Sequence, residues 1–86
     1  MLFEIGQVVI TRGVDAEVNP KTYLLCLQRH ADGDWGDLCD FDRRENQIAL
    51  EEGYRILSRY DTPEGDMYII TEHDRSVTTI LLVDEY

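Results

Sequence analysis

The 86 residues include 18 Asp and Glu against 8 Lys and Arg, a formal net charge of −10, with 43% hydrophobic and 30% charged residues, six glycines and two prolines. A chain of this length makes one domain, residues 1–86, and the composition is globular, outside the disordered, collagenous and disulfide-rich classes. The charge argues against nucleic acid as a direct ligand, because neutralising phosphates needs Lys and Arg; a basic protein surface is its natural complement.

In chain order, Gln7–Thr11 is β-branched and bounded by Gly6 and Gly13, the pattern of a first strand. Val14–Val18 has room for a short helical turn. Asn19-Pro20 reads as an N-cap followed by proline at the first helical position, opening a helix to Arg29 with Tyr23, Leu24 and Leu27 on one face. Ala31–Asp37, with two glycines and three aspartates, is loop chemistry. Asp40 is placed to cap a helix over Phe41–Glu52, which Gly53 stops. Its apolar stripe (Phe41, Ile48, Ala49, Leu50) is thin, which predicts loose packing or cover over a sheet edge, and Asn46 reads equally as a buried polar anchor or an exposed side chain.

Beyond Gly53 the period falls to two. Tyr54–Tyr60 puts Tyr54, Ile56, Ser58 and Tyr60 on one face; Thr62–Gly65 is a turn; Met67–Thr71 is the next strand; and Val77–Val83 is the last, after a polar link over Glu72–Ser76. Three strands joined by short links form a meander. The predicted class is α+β: a four-stranded antiparallel sheet with two or three short helices on one face. The last strand, with Ile80, Leu81 and Leu82, is a candidate for edge pairing with a second copy.

The two cysteines, Cys26 and Cys39, are not spaced as CxxC and suit reduced thiols in the cytoplasm; Cys26, among leucines, reads as a small buried hydrophobe. Met1–Ile5 lacks the charged and apolar regions of an export signal, and no apolar run approaches membrane-spanning length. Cys26, Cys39, His30 and His73 are isolated along the chain, which predicts neither metal nor cofactor.

The least average feature is the run of acids. Eight lie between Asp32 and Glu52 against Arg43 and Arg44, and five more between Asp61 and Asp74 with no base. Spacings of two or three residues are comparable to the spacing of phosphates along DNA, so Asp32, Asp34, Asp37, Asp40, Asp42 and Glu45 are the candidate protein-binding residues of a nucleic-acid mimic. The plainer reading is a solubilising surface. A second constellation pairs His30 and Asp34 with His73, Asp74 and Arg75, the parts of a general acid/base or ligand site if the two segments meet; otherwise Asp34 and Arg75 hold loops together and Trp35 covers the core edge.

His30, Gly33-Asp34-Trp35-Gly36, Asn46, Ala49-Leu50, Gly53, Leu57-Ser58, Tyr60 and Ile69-Ile70-Thr71-Glu72-His73-Asp74-Arg75-Ser76-Val77-Thr78-Thr79-Ile80-Leu81-Leu82 carry a resemblance. Together they resemble a family of small uncharacterised proteins of bacterial chromosomes, plasmids and prophages, loosely labelled restriction-modification related. The likeness covers most of the chain, with departures at Tyr68, where tryptophan is commoner, and Val83, where proline is usual. The resemblance implies no reaction, but its association with mobile elements implies an action against host defence. The expectation is a non-enzymatic inhibitor that blocks a CRISPR effector or restriction enzyme by charge mimicry. The alternatives are a small enzyme or ligand-binding domain built on the histidine segments, and an antitoxin-like or housekeeping interaction module.

Overall fold

The computed structural model describes residues 1–86, in the order β1 (Gln7–Ile10), α1 (Arg12–Glu17), α2 (Pro20–Ala31), α3 (Asp40–Glu52), β2 (Ile56–Thr62), β3 (Gly65–Thr71), β4 (Val77–Leu82) and a final 3₁₀ turn (Val83–Glu85). The class is α+β, and β2, β3 and β4 form the expected antiparallel meander. The sheet order is β1-β4-β3-β2, and β1 runs parallel to β4. The sheet is therefore mixed and not wholly antiparallel. Three helices separate β1 from the meander, and a connection of that length can return the chain to a parallel neighbour. The last strand is interior, so it has no free edge for a second copy; the edges are β1 and β2.

One sheet face carries Ile56, Ser58 and Tyr60 of β2, Met67, Ile69 and Thr71 of β3, and Thr78 and Ile80 of β4, all buried. Val14 and Val18 of α1 and Cys26 of α2 pack on it, with Ile10, Tyr23 and Leu27 at the margin. On α2 the inward stripe is Tyr23, Cys26, Leu27 and His30, at helical spacing, while Leu24 is 53% exposed. α2 runs on to Ala31 because His30 and Ala31 are themselves buried.

The third helix begins at Asp40, with Cys39 in the cap position and no side-chain capping bond; Asp40 and Asp42 instead place negative charge in its first turn, where the helix dipole favours it. At its other end the N–H groups of Gly53 and Tyr54 both donate to the Ala49 carbonyl, so Tyr54 belongs to the helix cap and the strand starts at Ile56.

α3 covers the β2 edge, as its thin stripe suggested. Buried Asn46 donates from Nδ2 to the Leu57 carbonyl and accepts from the Leu57 N–H at 3.1 Å, standing in for a neighbouring strand. The loop before α3 continues the cover: Asp37 N–H donates to Arg59 O at 2.7 Å, Arg59 N–H to Trp35 O at 3.1 Å, and Asp61 N–H to Asp37 Oδ2 at 2.9 Å. Asn46→Ala leaves both Leu57 groups unpaired and should destabilise the fold by about 2 kcal/mol. Urea midpoints of the two proteins at equal m-value measure it.

Candidate functional site

The helices leave the other sheet face open. It carries exposed Val9 of β1, half-buried Thr79 of β4, Tyr68 of β3 and Leu57 and Arg59 of β2, with Ile70 of β3 and Leu81 of β4 buried among them. The C-terminal turn folds across part of it. The Tyr86 ring meets that of Tyr68 edge-on at 5.4 Å, and a small groove of about 150 Å³ opens between Tyr86, Leu57, Ile70 and Arg55. The turn is pinned by Glu85, which accepts from Thr11 Oγ1 at 2.6 Å and from the N–H groups of Leu82 and Gly13 at 2.8 and 3.3 Å. These bonds, that from Thr11 foremost, hold its carboxyl below the ordinary range.

Carboxylates border this face at one side. Two open grooves, of about 300 and 350 Å³, share Arg59. Asp37, Asp42 and Asp61 line the first, and Glu17, Asp66 and Asp84 the second. Asp61 and Asp66 stand directly opposite each other on β2 and β3, where two negative charges would repel. The Arg59 guanidinium relieves this, with Nε 2.8 Å from Asp61 and NH2 3.7 Å from Asp66, and its fork lies 5.8 Å from the Tyr68 ring centre. Six carboxylates thus line the two grooves on either side of Arg59, which pairs with Asp61 and Asp66, while Arg43 bonds the Gly36 and Leu38 carbonyls flanking Asp37.

The structure divides the six candidate acids. Asp37 and Asp42 lie in this acidic border; Asp37 is also bonded to the Asp61 N–H, and Asp42 accepts from Cys39 Sγ at 3.4 Å. Asp40 is exposed at the start of α3 nearby. Asp32 faces the N-terminal ammonium at 3.4 Å. Asp34 grips Arg29 with both oxygens, at 2.7 and 3.2 Å, and accepts from Gly36 N–H; the Arg29 bond, first among these, holds its carboxyl below the usual range. Glu45 lies apart, in a groove of about 490 Å³ with Ile48, Ala49, Tyr54, Arg55 and His73. Asp61, Asp66, Asp84 and Glu17 are not among those six: β2–β3 pairing sets Asp61 against Asp66, and the packing of α1 and the C-terminal turn adds Glu17 and Asp84 in the second groove.

The two histidine segments do not form a shared polar centre. His30 is fully buried: Ser58 Oγ bonds Nδ1, and Nε2 lies 2.9 Å from Thr71 Oγ1. The bonding has a direction. Thr78 must donate to the Ile5 carbonyl (2.7 Å), so it accepts from Thr71 (2.7 Å), which in turn accepts from His30 Nε2–H, leaving Nδ1 to accept from Ser58. Burial pushes the His30 pKa down to about 4, so the ring is neutral. Arg75 donates to the carbonyls of Ala49, Tyr54, Glu72 and His73, and its guanidinium lies 5.7 Å from the Phe3 ring, which also meets the His30 ring at 5.3 Å and stacks on Trp35 at 6.2 Å. Phe3 therefore stands between the segments. Asp74 caps its own turn through Ser76 N–H and Oγ. Asp34 and Arg75 act as loop ties, and Trp35 is buried beside Leu38, Ala49 and Ile56.

No three His, Cys, Asp or Glu side chains are grouped to hold a metal ion, and no helix is long and apolar enough to cross a membrane. Compared with protein-family models, curated proteins and solved structures, the chain matches none of them.

Proposed function

We propose that the protein is a non-enzymatic inhibitor that binds a basic, nucleic-acid-handling protein, in the setting of a CRISPR effector or restriction enzyme of a bacterial host. The carrying observation is the acidic border: Asp37, Asp42, Asp61, Asp66, Asp84 and Glu17 line two grooves that share Arg59, beside the half-buried Tyr68, with Arg43 bonded to the Gly36 and Leu38 carbonyls on either side of Asp37. An apolar patch with a charged rim is the usual anatomy of a protein–protein contact. Here the rim is net negative, six carboxylates against Arg59 and Arg43, so it favours a Lys/Arg cleft and competes there with nucleic acid. The resemblance to proteins of mobile elements supports the choice of partner, and the cytoplasm is where such a partner works.

The test is a quadruple neutralisation, Glu17→Gln, Asp42→Asn, Asp66→Asn and Asp84→Asn, against a control, Glu51→Gln with Glu52→Gln, at the end of α3. Immobilised wild-type protein should retain a nucleic-acid-binding protein from bacterial lysate at ~50 mM salt and release it as screening shortens the Debye length to ~3 Å near 1 M. Added DNA should displace it. The quadruple variant should lose retention and the control should keep it. Equal retention by the quadruple variant, or capture of no such protein, would remove this reading.

A further inference from the structure

We infer that β1 is a self-pairing edge, through which two copies of this chain join antiparallel about a two-fold axis at Val9. The edges of the sheet are treated differently. On β2 every outward-facing residue, Leu57, Arg59 and Asp61, is bonded by Asn46 or by the Trp35–Asp37 loop. On β1, Gln7 N–H donates to Ser76 O and Thr11 N–H to Ile80 O, so by alternation Gln7, Val9 and Thr11 face β4. Val8 and Ile10 then turn their N–H and C=O groups outward, and no group of the chain bonds them. Such an edge is normally blunted by charge, proline, a bulge or a covering segment. Gln7-Val8-Val9-Ile10 has none of these, and Val8 and Val9 are each 37% exposed.

Pairing with a second copy closes the bonding without remainder. Centring antiparallel strands on Val9 sets Val8 against Ile10 of the other copy and Ile10 against its Val8, each a bonded pair, so every outward N–H and C=O of both strands is used. Val9 meets its own copy in the non-bonded position, where side chains come closest, on the open sheet face. All three cross-strand pairs are β-branched.

Charge selects the occupant and the direction. Glu4 precedes β1 and Arg12 follows it; both are exposed, and neither has an ion-pair or hydrogen-bond partner through its side chain. Antiparallel pairing brings Arg12 of each copy toward Glu4 of the other, whereas parallel pairing would set like beside like. The net charge of −10 does not forbid the union. Asp37, Asp42 and Asp61 lie beside β2, three strand spacings or about 14 Å from β1, beyond the Debye length of about 8 Å at physiological salt; of the acids nearer β1, Glu85 is held by Thr11 and Gly13 and Asp15 lies in the helix that begins at Arg12. The acidic border stays free, so the dimer would present it twice, but the inference stands apart from the proposed function.

Sedimentation equilibrium of the full chain from roughly 10 µM to 1 mM should show the mass rising from one copy to two. Val8→Pro removes an outward donor without touching the ladder to β4, and Val9→Lys sets two ammonium groups opposite each other; each should weaken the dimer about 100-fold. Circular dichroism confirms that each variant is folded. Arg12→Glu should weaken the dimer and Glu4→Arg in the same chain should restore it, which no unrelated partner strand would do. A chain monomeric over the whole range, a dimer indifferent to both strand substitutions, or a charge swap that fails to restore it would overturn the inference.

Discussion

Through His30, lowering the pH from 7 to 5 should cost the native protein about 2 kcal/mol of stability. The ring is buried, and its pKa falls from the ordinary 6.5 to about 4. Above 6.5 the folded and unfolded chains are both neutral at this residue, and it contributes no pH dependence. Between 6.5 and 4 the unfolded chain takes a proton that the folded chain refuses, so stability falls as pH falls; below 4 the loss is complete. The carboxyls held low by Arg29, Ser76 and Thr11, those of Asp34, Asp74 and Glu85, act in a lower window, losing their contribution only as pH drops below their unfolded values of 3.8 to 4.5. The interval from pH 7 to 5 therefore separates His30 from these three carboxyls. Since a domain of this size is stable by roughly 4–13 kcal/mol, the shift in urea midpoint should be plain. His30→Leu should flatten the profile and cost about 3 kcal/mol at pH 7, because the Ser58 hydroxyl loses its acceptor inside the core. Adding Ser58→Ala should then recover part of that loss. A midpoint equal at pH 7 and pH 5 would refute a neutral buried ring.

Gly36→Ala should destabilise the protein by about 3 kcal/mol, whereas Gly53→Ala should cost about 1 kcal/mol, although the two backbones are alike. Both glycines are in the left-handed region, Gly36 at φ +72 and Gly53 at φ +79. Their surroundings differ. A Cβ on Gly36 would fall 2.0 Å from the Arg59 carbonyl oxygen, while one on Gly53 meets nothing within 4 Å. The Gly36 methyl can be housed only if the loop leaves β2, which breaks the bonds of Asp37 N–H to Arg59 O and Arg59 N–H to Trp35 O. The difference in urea midpoint between the variants measures the close approach free of the backbone term. Equal costs would mean that the loop does not cover the edge tightly.

The sequence by itself determined the local structure. Asn19-Pro20 and Gly53 bounded their helices because caps and left-handed turns are set by residues a few positions apart. The period-two run from Ile56 to Leu82 determined the meander, because short links leave successive strands no other neighbours. Asn46 reads from sequence equally as a buried anchor or an exposed side chain, and its two bonds to Leu57 decide for the first. Only the tertiary structure decided the direction of β1, which depends on the path of three intervening helices and not on its own residues. It alone joined His30 to Ser58, Thr71 and Thr78, on three strands. It also sorted the carboxylates, giving Asp32 and Asp34 local cationic partners while carrying Asp61, Asp66, Asp84 and Glu17 to the border with Asp37 and Asp42. The physical reason is common to all three. A side chain's charge and shape are written at its own position, but its neighbours across a sheet are set by register and strand order, which no local pattern encodes.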